Sequence, residues 1–349
     1  MLEVFADNHP RKTSRPRRED TPMTTSDLDL LSRLRRYEQP PAGFSPRRAA
    51  PDELNRYGYP RQPDPEREPR LHALWDTTID DSYRMITPEF SIDPILSERR
   101  SRSLALIDPD RRDAQGKLLS ADGWAGAVVG RGDGPALNTV SASFHVPRIF
   151  VPPGGLPNGR YSIGVWIGLN GYIVDQQVVQ AGIVGWLGIG PGYDGFVRYY
   201  AFFEWYPNPP VRIDNFVVAD FDEIALTVCT PNPSRGFVAI SNKTNPQNTS
   251  VGFDPPPGIV SSGSSAEWIV EAPQHLVPRF NDVKFVGCVG GSQSTEIDLG
   301  TNPHYVTEIS SGTGAVLTQS TIDYEIFAVG PHGVRSNTDI RFRGSGWPA

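Results

Sequence analysis

The chain has 349 residues, of which 34 are glycine and 34 are proline, and its formal net charge is -7. The length allows one large domain or two ordinary ones, and a mild negative charge without a basic stripe argues against nucleic acid as a partner. No apolar run approaches the roughly 18 residues of a membrane helix, so we expect no membrane partner. Frequent glycine and proline indicate a protein of strands and turns.

The N-terminal part of the chain is rich in Pro and Arg and poor in branched apolar residues. Residues 1–70 are therefore predicted to be mostly disordered. One helix is predicted within them, from Asp27 to Glu38, with Ser26 as its N-cap and leucines along one face. The N-terminus contains no apolar stretch typical of a secretory signal.

From Trp124 onward, short runs of β-branched and aromatic residues alternate with turn residues, and long segments with helical periodicity are absent. This pattern predicts a single all-β domain, either an antiparallel sandwich or a barrel. We divide the chain into an N-terminal extension, residues 1–118, and a β domain, residues 119–349. Two cysteines, Cys229 and Cys288, are too few for a disulfide framework, and we expect buried thiols.

The aromatic run from Phe196 to Tyr206, FVRYYAFFEWY, contains neither Gly nor Pro and is predicted to be a strand. Alternation places Glu204 on one face among aromatic rings and gives the opposite face to the core. A carboxylate among aromatic rings is partly desolvated, which raises its pKa and suits it to proton transfer. The same spacing also fits a glutamate that pairs with Arg198 or with a neighbouring strand.

A second informative strand is predicted from Tyr161 to Leu169. One of its faces is fully apolar, and the other consists of Gly164, Trp166 and Gly168. A row of small, aromatic and small residues predicts an open trough with an indole as its floor, which suits an incoming polypeptide.

A third strand is predicted from Tyr172 and is expected to end at Ala181 and Gly182, shortly after Gln180. If these strands are neighbours, Trp166, Gln180 and Glu204 converge on one face of a sheet. The register that would bring them together is not fixed by the sequence.

Six segments of the chain occur in an order typical of one peptidase family. They are GWAGAV (123–128), SASFHVP (141–147), VWIGLNG (165–171), VVQAG (178–182), AFFEWYP (201–207) and SSAEWIVE (264–271). Together they resemble the glutamic peptidases, also called eqolisins. This resemblance implies a β-sandwich of two packed antiparallel sheets, of the jelly-roll or concanavalin-like type, here preceded by a mostly irregular N-terminal extension.

The resemblance also implies an acid endopeptidase that is insensitive to pepstatin and uses a catalytic dyad of Gln and Glu. These positions fall on Gln180 and Glu204. The glutamate would activate a water molecule and later protonate the leaving nitrogen, while the Gln amide would stabilise the oxyanion. Such chemistry needs no metal or other cofactor. The implied partner is a polypeptide substrate, and we expect a monomeric protein that acts outside the cell.

Several further residues are candidates for substrate contact in the cleft: Trp166, Asn170, Phe202, Tyr206 and Trp268. Asn170 stands where the family has Asp, and the lost charge could shift the pH optimum. Glu267 and Trp268 are adjacent in a strand and face opposite ways, so at most one of them lines the cleft. Glu271 shares the face of Glu267 and fits a surface pair.

Two other functions fit the same residues. A catalytically weak or inactive sandwich could bind peptide or glycan through Trp166, Trp186 and Trp205, and the Asn in place of the family Asp favours it. A glycan hydrolase needs two carboxylates about 5–10 Å apart, and Glu204 with Asp175 or Glu267 is the available pairing.

The Arg-rich extension is a candidate counterpart of the basic propeptide found in the family. We expect it to dock on an acidic cleft at neutral pH, and to be released and cut within residues 60–118 in acid. A plain tail without a regulatory role is the alternative.

Overall fold

In a computed structural model of the protein, the structure describes residues 24–93, 118–120, 123–152, 155–171, 175, 177–272, 277–292, 295–299, 302, 304–309, 319–325 and 337–343. Within these ranges, no helix has the length and apolar character needed to cross a membrane. The helical elements are α1 (Thr25–Ser32), a 3₁₀ turn (Pro46–Arg48), α2 (Pro51–Arg56) and α3 (Pro69–Thr78).

Strands make up most of the regular structure. In chain order they are β1 (Arg84–Met85), β2 (Phe90–Ile92), β3 (Leu118–Ser120), β4 (Trp124–Gly130), β5 (Thr139–His145), β6 (Ile149–Phe150), β7 (Gly159–Leu169), β8 (Val179–Ile189), β9 (Val197–Trp205), β10 (Val211–Ile213), β11 (Glu223–Asn232), β12 (Arg235–Asn242), β13 (Gln247–Phe253), β14 (Ser265–Glu271), β15 (Arg279–Phe280), β16 (Val283–Gly291), β17 (Glu296–Asp298), β18 (His304–Ile309), β19 (Gln319–Glu325) and β20 (Asn337–Arg343).

The strands form two large sheets. The back sheet has the order β1-β13-β12-β11-β5-β16-β20-β19, with β17 also paired to β16. The front sheet has the order β2-β10-β9-β8-β7-β14-β4-β18-β3. The pairs β1–β13 and β3–β18 are parallel, and the other pairs within both sheets are antiparallel. The predicted antiparallel β-sandwich is therefore confirmed.

The main hydrophobic core lies between the two sheets and follows from strand alternation. Every second residue of β7, from Ile163 to Leu169, is apolar, buried and part of this core. Ala201, Phe203 and Trp205 of β9 occupy the same inner face. Because successive side chains point to opposite faces, the intervening residues of β7 and β9 lie on the outer face of the front sheet.

The helix predicted over Asp27–Glu38 is present but shorter, since α1 ends at Ser32. Its N-cap is Thr24 instead of Ser26, and the hydroxyl of Thr24 accepts a hydrogen bond from the backbone N–H of Asp27 at 3.2 Å. After the helix, the backbone of Arg35 exchanges two hydrogen bonds with Gly252 of β13, at 2.7 and 3.0 Å. The chain leaves the helix early because this segment pairs with the sandwich.

The prediction of disorder is wrong for residues 24–70, which pack against the sandwich. Leu71, Leu74 and Trp75 of α3 line a small cavity against the outer face of the back sheet, and the backbone N–H groups of Arg70 and Leu71 donate to Glu296 at 3.2 and 2.7 Å. Within the extension, α3 packs on β5 and β16 of the back sheet, β1 pairs with β13, and α1 contacts β2 at the edge of the front sheet. The docking of the extension on the cleft and its release in acid stay predictions. Residues 1–23 and 94–117 are outside the described part.

We expect α1 to stabilise the folded protein. Leu30 is buried in the main core, whereas Leu28 in the same helix is 52% exposed. Leu30→Ala should lower the free energy of unfolding by about 2–3 kcal/mol, because it removes buried apolar volume. Leu28→Ala should change it by less than about 0.5 kcal/mol. Urea unfolding of the full chain measures both, and equal values for the two variants would show that α1 does not dock.

Candidate active site

Strand register brings the predicted dyad together. Gln180 of β8 lies directly opposite Glu204 of β9, and Gly168 of β7 lies opposite Gln180 on its other side. The Nε2 amide of Gln180 donates a hydrogen bond of 2.6 Å to Oε2 of Glu204. Both side chains are buried, with exposed fractions of 3% and 8%. Their predicted convergence with Trp166 on one sheet face is confirmed.

Strand β8 differs from the prediction. It begins at Val179 and continues to Ile189, straight through Gly182, where the sequence predicted its end. A Cβ atom on Gly182 would lie 2.2 Å from the carbonyl oxygen of Val165 and 2.5 Å from Cβ of Trp166. Glycine at this position therefore does not break the strand, but permits the close approach of Trp166 on β7.

The indole of Trp166 lies along β7 over two further glycines. A Cβ on Gly164 would be 3.5 Å from Cδ1 of the ring, and one on Gly168 would be 3.1 Å from Cζ3. The pyrrole edge thus points toward Gly164, and the benzene edge points toward Gly168 and its neighbour Gln180. The predicted floor is present, but the ring is fully buried instead of lying in an open trough.

A residue that the sequence analysis set aside lies at the other end of this ring. Glu271 of β14 is opposite Gly164, and its Oε2 accepts a hydrogen bond of 2.9 Å from Nε1 of Trp166. It is buried, not part of a surface pair. The signal was available, because Glu271 shares its strand face with Glu267, but alternation alone does not tell which sheet face carries the site.

The other predicted substrate-binding residues fall into different places. Phe202 is buried on the site face, beside Trp166 in the same apolar cluster, and Tyr206 packs partly buried against that cluster. Trp268 was predicted wrongly. It lies fully buried in the core between the sheets, and its Nε1 donates to the carbonyl of Ser141 at 3.2 Å.

Asn170 organises a neighbouring loop. It adopts a left-handed backbone conformation with φ 68°, its Nδ2 donates to Oγ of Ser261 at 3.1 Å, and its Oδ1 accepts from Oγ of Ser262 at 2.8 Å. The structure therefore gives this side chain partners within the protein. The aromatic trough of the alternative function is not formed as expected, since Trp205 lies on the core side of β9 and donates to Gln177.

Glu267 is a third buried glutamate on the site face. It lies opposite Gly168, it is fully buried, and its Oε1 accepts a hydrogen bond of 3.0 Å from Oγ of Ser265. Burial raises the pKa of Glu267 to about 8, the Ser265 hydroxyl partly offsets this shift, and the nearby charge of Asp175 adds to it. Glu267 therefore keeps its proton well below about pH 8.

Comparisons with known proteins identify the family of the chain. The model of the peptidase A4 family matches residues 122–329. The chain belongs to the peptidase A4 family. Aspergillopepsin-2 of Aspergillus niger is 27% identical over 226 residues, which cover 56% of this chain and 76% of that protein. Scytalidopepsin B of Scytalidium lignicola is 26% identical over 206 residues, which cover 57% and 71%.

Solved structures of the same kind are also similar. Scytalido-glutamic peptidase, determined with a peptide-based transition state analogue, has a TM-score of 0.49 and 20% identity, covering 64% of this chain and 98% of that chain. Aspergilloglutamic peptidase from Aspergillus niger has a TM-score of 0.43 and 23% identity, covering 53% and 99%. As a peptidase A4 member the chain is a peptidase of the glutamic type, and the resemblance seen in the sequence motifs is confirmed.

The buried Glu267 should make stability depend on pH. Between the ordinary glutamate pKa of about 4.3 and the folded value of about 8, the folded protein binds a proton that the unfolded chain does not. The free energy of unfolding is therefore highest below about pH 4.3, and the contribution of neutral Glu267 to it is lost as the pH rises toward 8. Glu267→Gln should flatten this fall, measured as melting temperature across pH 4–8. Glu66→Gln, at an exposed site, is the control, and an unchanged slope in Glu267→Gln would contradict the assignment.

Proposed function

We propose that the protein is an acid endopeptidase that hydrolyses polypeptides over the indole of Trp166, with Gln180 and a glutamate as its catalytic groups. The observation that supports this most strongly is the placement of Glu271 at one end of the indole and of the Gln180–Glu204 pair at the other. A substrate carbonyl above the ring would lie between a carboxylate and an amide donor.

The pair of Gln180 and Glu204 suggests how the amide is oriented. An amide nitrogen has two N–H groups, and one of them is bound by Glu204 at 2.6 Å. The second N–H is then directed by this bond and can donate to an oxyanion that forms on the substrate. Removal of one such donor commonly lowers kcat by about 10²–10³-fold.

The short hydrogen bond between Gln180 and Glu204 also indicates which glutamate is the base. Because Gln180 and Glu204 are in direct contact, no water molecule fits between the amide and Oε2 of Glu204. Glu271 binds the pyrrole end of the indole, whereas Gln180 lies in the row of its benzene end, so Glu271 is not engaged by the amide. We therefore assign the base to Glu271 and the orientation of Gln180 to Glu204, and keep the sequence-based assignment of Glu204 as the alternative.

The reaction then follows from these positions. Glu271, fixed by the indole N–H, takes a proton from a water molecule as its oxygen attacks the substrate carbonyl carbon. The oxyanion is stabilised by Gln180. Protonated Glu271 then delivers its proton to the amide nitrogen as the C–N bond breaks. A glutamate side chain in water has a pKa near about 4.3, so a glutamate base is compatible with an acid optimum. The proposal includes insensitivity to pepstatin, an inhibitor of aspartic peptidases.

Three glutamate variants distinguish the two assignments. Glu271→Gln keeps the shape and removes the base, so cleavage of denatured protein at pH 3 should fall by about 10³-fold. Glu204→Gln should retain activity within about tenfold, because its amide oxygen can still accept from Gln180. Glu66→Gln is the exposed control. Loss of activity in Glu204→Gln with activity kept in Glu271→Gln would return the base to Glu204, and activity in both would contradict a glutamate base.

Gln180→Ala tests the oxyanion contact separately. We expect kcat to fall by about 10²-fold or more while KM changes little, because the contact strengthens mainly in the transition state. Steady-state kinetics on one peptide substrate at pH 3 measures both constants. A rise in KM at unchanged kcat would instead make Gln180 a substrate-binding residue.

A further inference from the structure

A second group of partly exposed aromatic residues lies on the same sheet face, beyond the dyad. Trp186 of β8 is opposite Arg198 of β9 and opposite Ser162 of β7. Trp186 is six residues from Gln180 and four from Gly182, which lies opposite Trp166. Since these separations are even, Trp186 shares the face of the dyad, about 13 Å along the strand from the row of Trp166.

The side chains around Trp186 hold one another in place. The guanidinium carbon of Arg198 is 5.3 Å from the centre of the indole, and the ring of Tyr193 meets the indole edge-on with centres 6.1 Å apart. Asp194 accepts from Arg198 at 3.1 Å. A Cβ on Gly188 would lie 2.2 Å from the Tyr193 ring, so this ring lies directly on β8. We name Trp186, Tyr193 and Arg198 the hairpin platform.

The hairpin platform is more exposed than the catalytic end of the sheet face. Trp166 and Phe202 are buried there, whereas Trp186 and Tyr193 are only partly buried. Phe196, two residues before Arg198, is 70% exposed. Large aromatic groups left in contact with water beside a binding face are typical of recognition sites.

A buried polar group also points to a ligand at this row. The hydroxyl of Ser162, the neighbour of Trp186 on β7, is buried and has no hydrogen-bond partner among the described residues. Buried hydroxyls are normally paired. A peptide lying across this row could supply the missing partner from its backbone.

The charge of the platform selects the kind of side chain. Asp194 pairs with Arg198 and offsets its charge, and this hydrogen bond lowers the pKa of Asp194. A neutral aromatic surface favours a large apolar group over an acidic one. An extended chain advances about 3.3 Å per residue, so a peptide bond above Trp166 places a residue four positions away over Trp186.

We propose that the hairpin platform binds a large apolar side chain of the substrate, about four residues from the cleaved bond of an extended chain. This proposal rests on the proposed function. It makes Trp186 a specificity-determining residue outside the catalytic group, and predicts that long peptides are better substrates than short ones.

The test uses ten-residue peptides that carry Phe, Ala or Asp four residues before or after the cleaved bond. The full chain should prefer Phe over Ala by about tenfold in kcat/KM at one of these positions, mainly through KM. Trp186→Ala and Phe196→Ala should reduce that preference, while the rate on the Ala peptide stays within twofold, and Asp should be no better than Ala. Phe221→Ala is a matched control. The guanidinium carbon of Arg148 lies 5.1 Å from the centre of the Phe221 ring, a contact similar to that of Arg198 with Trp186.

Equal rates for the Phe and Ala peptides at both positions, or a preference that survives in Trp186→Ala and Phe196→Ala, would overturn the proposal and leave the peptidase intact. If the full chain cleaves none of the peptides, calorimetric titration of the Glu271→Gln variant decides the question separately. Tighter binding of the Phe peptide, lost in the double variant with Trp186→Ala, supports the platform even when the proposed function fails. No difference in binding rejects it.

Discussion

The close packing of one indole ring on three glycines is the constraint on which the site depends. Gly164, Gly168 and Gly182 leave no side chain in the space that Trp166 occupies, so the ring lies along β7. Its N–H then reaches Glu271, and its far edge reaches the row of Gln180. A single buried aromatic side chain thus sets the separation between two groups of the candidate site, because neither can move toward the other through the ring.

Burial gives the carboxyl groups of this face different properties. Loss of contact with water raises the pKa of Glu267 to about 8. Glu204 and Glu271 receive hydrogen bonds from Gln180 and Trp166. A bond donated to a carboxylate favours its charged form, whereas a buried carboxyl group without strong donors becomes neutral. The three glutamates of this sheet face thus have different donors, which are an amide, an indole and a serine hydroxyl.

Much of the sheet face could be predicted from the sequence. Alternation correctly assigned Glu204 and Phe202 to one face of β9 and Trp205 to the other. Successive residues of a strand point to opposite faces whichever strands lie beside it. Which of Glu267 and Trp268 faces the site depends on how β14 pairs with β7, and this register is decided by tertiary contacts. The same limit concealed Glu271, whose importance appears only when Gly164 and Trp166 are placed beside it.

The N-terminal residues show a different limit. Leu30 and Leu34 belong to a charged, Pro-rich segment that has few branched apolar residues. Its composition therefore indicates disorder. They are nevertheless buried, because the sandwich supplies the rest of the core that they join. Segments of this kind cannot be assigned from their own residues, since the surface that orders them is built by strands more than 200 residues later, as at β13 and Glu296.

The most direct test of the account is a digestion of denatured protein by the purified full-length chain from pH 2 to pH 7, with and without pepstatin, followed by mass spectrometry of the products. The account predicts new peptides in acid that decline toward pH 7, and the same products when pepstatin is present. A folded chain that yields no products at any pH, or whose products disappear with pepstatin, would contradict a glutamic peptidase that works over Trp166.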